Sequence, residues 1–429
     1  MKTVNMKAIN MKAAVMAYTL LALTGTLARA DEVANWNNIM LQAGHTDVTS
    51  PVVMSRVAAI VAGAVYDAVN GIDPRFTPLH VAPAAAPGAS RRAAAVLAAY
   101  GTLVNLYPDQ KPLFDTQLAS SLASIAQSEH PVAMARGIAW GQTVAAQILA
   151  WRSTDGFTPA PPPFMGGLAP GEWRPTPPAL APGADPQFAY MTPWVIQSPS
   201  QFQPAAPPDL TSAWYTSVFD EVKSMGSATS VTRTADETLY STFWASSTPA
   251  YFFDTTALSL AAQHHRTLLD EARLLALLNV AMADAAIGAW EGKYYYVFWR
   301  PITAITLADT DDNPETEPDP AWMPLLVTPP FPEYPAGHPT LSSAAATVLA
   351  RQFGWQTSFN VISDSTFLPA AGVVRSFTSF PSAVAEVSNA RVFGGIHFRS
   401  ATNAGEVLGT AIGTYVIDNA FLPCHGQTR

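Results

Sequence analysis

The sequence predicts an all-α protein made of helical bundles. Its 429 residues are 49% hydrophobic and 13% charged, a composition typical of a well-packed globular chain. Small and apolar residues recur at three- and four-residue spacing through long stretches, which is the period of helices that bury one face. No stretch alternates polar and apolar residues for long enough to predict a sheet.

The first 30 residues have the pattern of an export signal. Three lysines precede an apolar run that ends in Ala28-Arg29-Ala30, a small-x-small cleavage pattern. We therefore expect residues 1–30 to be a signal peptide and the protein to be exported, to the periplasm or to the medium. No later run is predicted to be long and apolar enough to span a bilayer.

Charge and cysteine content exclude several kinds of partner and site. Removal of residues 1–30 deletes four basic residues and no acidic one, which takes the formal charge from −9 to −13. A chain with this negative charge is repelled by the phosphates of nucleic acid, so we expect no nucleic-acid partner. The single Cys424 excludes an intrachain disulfide and a cysteine-based metal cluster.

The first half of the chain divides into a helical region and a proline-rich segment. Residues 31–157 are predicted as an N-terminal helical region, in which Ser55 to Asn70 shows clear helical spacing. Residues 158–209 are rich in proline, which rules out a long helix or a central strand. Aromatic residues such as Trp173 and Trp194 would anchor this segment, so we predict an extended arm that lies on the protein surface.

The second half, residues 210–429, is predicted to be a helical bundle that carries the candidate functional residues. Its longest stretch of helical pattern runs from Leu258 to Trp299 and contains no proline. We predict one long helix there, or two helices joined by a short turn.

The first candidate cluster lies at the end of that stretch. Seven residues are nearly two helical turns, so Lys293 and Arg300 are expected on one face, with Trp290 on the same side. Pro301 disfavours helical backbone at Arg300 and would aim its side chain off the helix end. Two cations this close repel each other unless an anion lies between them. A solvated basic face paired with acids is the alternative interpretation.

The second candidate cluster is the start of a later helix. A proline-rich approach delivers Gly337 and His338 to the first turn, with Pro339 expected at the first helical position. Unpaired N–H groups of a first turn can bind an anion, and Gly337 would let that anion come close. His338 would then stand beside a bound oxyanion, ready for proton transfer. A capping or packed histidine is the alternative.

The third candidate cluster is Arg391 and His397. They are six residues apart, which is the wrong spacing for one straight helix face. Gly394-Gly395 can bend the chain between them and bring both side chains to one point. An ordinary glycine-containing helix contact is the alternative.

In this order the three clusters resemble the pattern of the vanadium-dependent haloperoxidase and type 2 phosphatidic acid phosphatase superfamily. The motifs are Lys-x6-Arg-Pro, Pro-x-Gly-His and Arg-x5-His, and they run from Lys293 to His397. The resemblance implies an α-helical fold, vanadium chloroperoxidase-like or acid phosphatase-like, with an oxyanion site at the end of the C-terminal four-helix bundle. Vanadate is the implied cofactor, and phosphate can occupy the same site.

The resemblance also assigns a role to each matching residue. Lys293, Arg300 and Arg391 match the cations that neutralise the oxyanion, and the Gly337 N–H matches a backbone donor to it. His397 matches the histidine that bonds to vanadium in the peroxidases and attacks phosphorus in the phosphatases. His338 matches the acid/base residue.

Two aromatic positions resemble the vanadium chloroperoxidase branch in particular. Trp290 and Phe331 match residues that line the halide side of the site, although plain core aromatics are the alternative interpretation. We therefore interpret the chain as a haloperoxidase that uses hydrogen peroxide to oxidise a halide to hypohalous acid, with an unknown organic acceptor. An acid phosphatase that forms a phosphohistidine, and an oxyanion-binding protein that has lost activity, are the alternatives.

The sequence departs from the superfamily pattern at two positions. Ala336 stands where serine is usual, so one hydroxyl hydrogen bond to the oxyanion is missing. Ala401 stands where the phosphatases carry an aspartate that orients the last histidine. Some other group, such as a backbone carbonyl, is therefore expected to hold the second ring nitrogen of His397.

Overall fold

Thirteen α-helices make up most of the part of the chain that the computed structural model describes, residues 32–363 and 370–424. The predicted signal peptide lies outside the described residues. In chain order the helices are α1 (Glu32–Thr46), α2 (Pro51–Asn70), α3 (Arg91–Leu106), α4 (Lys111–Ala126), α5 (Pro131–Arg152), α6 (Ala213–Met225), α7 (Ala235–Phe243), α8 (Pro249–Gln263), α9 (Leu268–Tyr296), α10 (Pro301–Thr306), α11 (Gly337–Phe353), α12 (Phe380–Phe393) and α13 (Arg399–Asn419). The all-α prediction is confirmed.

Hydroxyl side chains fix where many of these helices begin. Ser50 accepts a hydrogen bond from the Val53 N–H at the start of α2, and Pro51 occupies the first helical position. At α7, Thr234 and Glu237 form a reciprocal capping box. These caps satisfy N–H groups that a helix leaves unpaired at its start.

The proline-free stretch from Leu258 to Trp299 contains two helices. Helix α8 ends at Gln263 and α9 begins at Leu268, with a short turn between them. Thr267 caps α9 by accepting from the Asp270 N–H, which restarts the helix. The two-helix form of the prediction is the one observed.

Helices α8, α9, α11 and α13 form the C-terminal bundle. Helix α9 packs against α8, α11 and α13, and α11 packs against α8 and α13. Gly409 on α13 lies directly over the Thr340 carbonyl of α11, where a Cβ atom would collide with the backbone. The two helices therefore approach more closely than larger residues allow. Helix α11 begins at Gly337 and α13 begins at Arg399, so the N-terminal ends of these two helices lie close to the candidate residues in the chain.

The N-terminal helices share a core with this bundle. Helix α2 is buried along nearly its whole length and packs against α3, α5 and α9. The described residues from Glu32 onward belong to one compact unit. The domain boundaries near residues 157 and 209 stay a prediction.

The proline-rich arm, residues 158–209, follows the surface of the bundle. It contains one short 3-10 helix, Pro186–Tyr190, and isolated bridges that pair Phe164 with Gly183 and Glu172 with Phe298. The buried carboxylate of Asp284, on α9, accepts hydrogen bonds from three successive arm N–H groups at 2.7–3.0 Å, those of Trp194, Val195 and Ile196. One helical side chain thus fixes the arm to the core.

The structure also contains a small hairpin that the sequence did not predict. Strands β1 (Phe359–Ile362) and β2 (Val374–Phe377) pair antiparallel. Each strand has four residues, which is too short for alternation to stand out from the helical background. The expectation of no sheet was therefore wrong at this one place.

Two helices are long and apolar enough to cross a membrane by length and composition, contrary to the sequence expectation. They are Pro51–Asn70 and Leu268–Tyr296, and 94% of the relevant window of each is buried within the protein. Both are central helices of the packed core, where apolar residues on every face meet other helices.

Replacement of Asp284 should loosen the arm and destabilise the protein. Asp284→Ala leaves three N–H groups, two of them buried, without their acceptor, so we expect the free energy of unfolding to fall by roughly 3 kcal/mol. Urea denaturation measures this change, and limited proteolysis reports on the arm. Asp220→Ala, at an exposed carboxylate on α6, is the control. Equal stability of the two variants would contradict this role for Asp284.

Candidate active site

Lys293 and Arg300 reach the site from opposite sides of a helix end. Lys293 lies in the last turn of α9, which ends at Tyr296. Arg300 lies beyond that end, with extended backbone angles of φ −82° and ψ 155°, immediately before Pro301. The expectation that both share one helix face was therefore wrong. They converge because the chain leaves the helix and turns back, and both side chains are fully buried.

Gly337 and His338 are the first two residues of α11. The helix thus begins two residues earlier than predicted, and Pro339 occupies the third helical position. Ala336 is the residue before the helix, and its methyl group offers no side-chain cap. The N–H groups of this first turn therefore lack a serine or threonine acceptor from the preceding residue.

Arg391 and His397 are brought together by the break between α12 and α13. Helix α12 ends at Phe393, and Gly395 has a φ of +77°, a left-handed conformation that favours glycine. A side chain there would also meet the Gly226 carbonyl. The predicted bend at Gly394-Gly395 is present. Arg399, in contrast, turns away from the site and pairs with Glu221 at 2.6 Å.

The five charged or titratable side chains form one buried cluster around His397. The Arg300 guanidinium lies 3.1 Å from Nε2 of His397 and donates to the Ile396 carbonyl at 2.7 Å. Lys293 Nζ donates to the carbonyls of Pro332 and Glu333 at 2.9 and 3.0 Å. His338, Arg391 and His397 line one shared cavity. We call this group, Lys293, Arg300, Gly337, His338, Arg391 and His397, the oxyanion site.

Burial and mutual repulsion dominate the charge state of the site. Burial lowers the pKa of Arg300 to about 9 and that of Arg391 to about 10. The pKa of Lys293 lies well below its usual range, through burial and then through Arg300. The pKa values of His338 and His397 are also well below their usual range, through burial and then the neighbouring cations. Both imidazoles are therefore neutral near pH 7, and Nε2 of His397 carries a lone pair that faces the Arg300 guanidinium.

Several buried donors of the arginines have no partner among the described residues. They are Nη2 of Arg300 and the Nε and Nη1 atoms of Arg391. A buried guanidinium N–H without an acceptor is costly, and native proteins rarely leave one unpaired. An anion with several oxygens, placed between the two arginines, would accept from all three atoms. The site therefore has the donor set that a tetrahedral oxyanion needs.

Glu333 is a functional candidate that the sequence reasoning missed. Its Oε1 atom lies 2.9 Å from Nδ1 of His397 and accepts from the Phe398 N–H at 2.9 Å. This carboxylate, and not the backbone carbonyl suggested by Ala401, holds the second ring nitrogen. Burial raises the pKa of Glu333 to about 7, while Arg300 and Lys293 oppose that rise. Glu333 stands in the sequence as an acidic residue between two prolines, within Phe-Pro-Glu-Tyr-Pro. Only the fold shows that it contacts His397, 64 positions later in the chain.

Aromatic rings close one side of the oxyanion site. Trp290 and Phe331 line the cavity, with ring centroids 5.0 Å apart. The Lys293 ammonium lies 5.0 Å from the centre of the Phe331 ring, and the Arg300 guanidinium lies 4.8 Å from it. Both predicted aromatic residues thus contact the cations as well as the cavity. In front of them the cavity has a volume of about 530 Å³.

Comparisons with known proteins agree with this geometry. The family model described as VCPO second helical-bundle domain matches residues 273–425, which include every residue of the oxyanion site. The structure of a bacterial vanadium-dependent iodoperoxidase superimposes with a TM-score of 0.80 at 29% sequence identity, over 92% of this chain and 98% of that one. The vanadium haloperoxidase family is the one that these comparisons support for the chain.

Two further vanadium haloperoxidases are more distant in sequence or match a shorter segment. The structure of a bacterial vanadium-dependent chloroperoxidase has a TM-score of 0.68 at 16% identity, over 86% of this chain and 91% of that one, which shows the shared fold. The vanadium chloroperoxidase of Curvularia inaequalis is 36% identical over 94 residues. That segment covers 20% of this chain and 15% of the length of the Curvularia enzyme.

The residues present fit the vanadate that the vanadium haloperoxidase family implies. The unpartnered arginine N–H groups could donate to its oxygens, and the neutral His397 could bind it through Nε2 in place of the present contact with Arg300. Glu333 fixes the ring orientation that such a ligand needs.

Glu333→Gln should weaken the binding of vanadate relative to phosphate by about tenfold. Loss of the negative charge changes the electrostatic attraction of both anions alike, so their affinity ratio cancels that effect. The ratio reports on His397, because a neutral acceptor on Nδ1 makes the imidazole a weaker ligand through Nε2. Isothermal titration calorimetry with orthovanadate and phosphate measures both affinities. Glu291→Gln, a half-buried acid on α9, is the control, and an unchanged ratio in Glu333→Gln would contradict the assignment.

Proposed function

We propose that this protein is a vanadate-dependent haloperoxidase that uses hydrogen peroxide to oxidise a halide to hypohalous acid. The observation that carries the proposal is the clustering of three buried cations around His397, with arginine donors left unpartnered. His397 would bind vanadium through Nε2, while Lys293, Arg300, Arg391 and the Gly337 N–H would hold the oxygens.

The residues of the oxyanion site would have different roles in the reaction. Bound vanadate supplies a Lewis-acidic centre that activates peroxide without a change in its own oxidation state. His338 is neutral near pH 7 because its pKa is lowered by burial and by the neighbouring cations, so it can accept a proton from hydrogen peroxide. The three cations withdraw charge from the oxygens, which favours attack by a halide. Overall, hydrogen peroxide, halide and one proton give hypohalous acid and water.

The aromatic wall favours large halides. Trp290 and Phe331 would remove water from a halide as it approaches, and iodide loses its hydration more easily than chloride does. A relative that covers nearly the whole chain, at 29% identity, is described as an iodoperoxidase, whereas the bacterial chloroperoxidase with the same fold is 16% identical. We therefore expect iodide and bromide to be oxidised in preference to chloride.

The protein would act outside the cytoplasm. The lysine-rich start, the apolar run and the Ala28-Arg29-Ala30 site support removal of residues 1–30 during export. Hydrogen peroxide, a halide and an organic acceptor would then be its partners.

A phosphatase is the second candidate, and the Glu333–His397 pair favours it. A carboxylate that orients Nδ1 also suits a histidine that attacks phosphorus through Nε2, with His338 protonating the leaving oxygen. Ala336 leaves a third outcome, an oxyanion-binding protein without activity.

A direct assay separates these functions. The purified protein, loaded with orthovanadate, should form triiodide from iodide and should brominate phenol red in the presence of hydrogen peroxide. His397→Ala should lower both rates by about a hundredfold or more, because the vanadium ligand is lost. His264→Ala, at an exposed histidine, is the control and should leave both rates unchanged.

Other results of that assay would overturn the proposal. Hydrolysis of an aryl phosphate, inhibited by vanadate and without halide oxidation, would identify a phosphatase. Vanadate binding with neither activity would identify an oxyanion-binding protein.

Ala336→Ser should strengthen vanadate binding. The serine restores the hydroxyl that is usual in this motif, next to the unpaired N–H groups of α11, so it can donate to a bound oxygen. One added hydrogen bond predicts a vanadate dissociation constant that is lower by roughly threefold to tenfold. Calorimetry measures it, and Ala336→Gly, which adds no hydroxyl, is the matched control. Equal affinity of the serine and glycine variants would refute the prediction.

A further inference from the structure

The cavity in front of the oxyanion site has a carboxylate that the proposed halide chemistry does not use. Asp185, from the proline-rich arm, lines this cavity together with Ser50 from the start of α2. Most of the remaining wall is apolar and includes Val52, Leu341 and Ile396. A volume of about 530 Å³ lies within the range of small-molecule binding sites, and it far exceeds the needs of a halide or of peroxide.

The position of Asp185 is fixed by the backbone of the residue before it. The carbonyl of Ala184 accepts from Trp290 Nε1 at 3.2 Å and from the Tyr294 hydroxyl at 2.6 Å, while the Ala184 N–H donates to the Pro330 carbonyl at 2.7 Å. Asp185 itself has a left-handed backbone, with φ +54° and ψ +39°. Its neighbours therefore hold it in an uncommon conformation, as happens at binding sites.

The carboxylate is also oriented before any ligand arrives. The Ser50 hydroxyl donates to Oδ2 of Asp185 at 3.0 Å, and Ser50 is held in place as the cap of α2. A fixed carboxylate accepts hydrogen bonds, so beside it a neutral hydroxyl that donates is favoured over an ionised one. The adjacent ring of Trp290 offers a flat apolar surface for an aromatic group.

We propose, building on the function proposed above, that this cavity binds the organic acceptor itself. The acceptor is a neutral hydroxylated aromatic molecule, of the size of a phenol or a naphthol, whose hydroxyl donates to Asp185. The ring then lies within the apolar part of the cavity, between Asp185 and the oxyanion site.

This arrangement would carry out halogen transfer inside the cavity. Hypohalous acid formed at the oxyanion site gives its halogen to an electron-rich ring carbon. The carbon–halogen bond forms, the oxygen–halogen bond breaks, and the displaced ring proton combines with the released hydroxide as water. A hydrogen bond from the phenol hydroxyl to Asp185 increases the electron density of the ring, which favours this substitution.

The binding step can be tested without cofactor, halide or peroxide, so its result does not depend on the haloperoxidase assignment. By calorimetry, the full-length protein should bind 2-naphthol about tenfold more tightly than 2-methoxynaphthalene, which lacks the donor. Asp185→Asn keeps the side-chain size, tolerates the left-handed backbone and still accepts from Ser50. It should reduce the preference to about twofold or less, because the acceptor loses its charge. Equal binding of the two probes by the wild type, or an unchanged preference in Asp185→Asn, would overturn the proposal.

A competition experiment tests where the halogen is transferred. Ala245 lines the cavity and is exposed, so Ala245→Trp narrows the opening without disturbing the core. With phenol and 2-naphthol present together, this variant should lower the ratio of halogenated naphthol to halogenated phenol by about fivefold, because the added indole ring excludes the larger substrate. Val231→Trp, at a residue that is 96% exposed and outside the cavity lining, is the control. A ratio that is the same in both variants and in free hypohalous acid would overturn transfer inside the cavity.

Discussion

Three buried cations around one small volume are the constraint on which the rest of this structure depends. Two unit charges about 4 Å apart repel each other by about 4 kcal/mol at an effective dielectric constant of about 20. Lys293, Arg300 and Arg391 also lose their hydration, which is why their pKa values are all lowered. Glu333 neutralises only part of this charge. A bound anion would compensate the remainder and could accept from the unpartnered guanidinium atoms.

The scaffold holds these charges by placing breaks in helices at one end of the bundle. Lys293 precedes the end of α9, Gly337 and His338 begin α11, and Arg391 precedes the break before α13. Close contacts between small residues on α11 and α13 keep the two helices in a fixed relation. A rigid bundle is needed because groups that repel each other would otherwise move apart.

The sequence predicted the fold class and the convergence of the candidate residues, for physical reasons that can be named. Helical periodicity persists over long stretches, and Gly394-Gly395 marks the bend that brings Arg391 to His397. The features that the sequence did not predict depend on contacts between segments that are distant in the chain. Glu333 meets His397 only after the chain has folded, and Arg300 points into the site only because α9 ends at Tyr296. The short hairpin was not predicted for a different reason: a strand of four residues is too short to show a clear alternation of polar and apolar residues.

The two sides of the active cavity come from different parts of the chain, and this division separates their roles. The oxyanion site lies entirely within residues 273–425, the segment that matches the family model. The opposite wall comes from the start of α2, from the arm and from the loop before α8, all outside that segment. A substitution in this wall changes the shape or the charge of the cavity, and the substituted residue does not belong to the cluster of buried cations. Selectivity for an organic acceptor can therefore vary while the oxyanion chemistry stays constant. Through Asp284, the arm that carries Asp185 is fixed to α9, the same helix that carries Lys293, so the wall keeps its distance from the site.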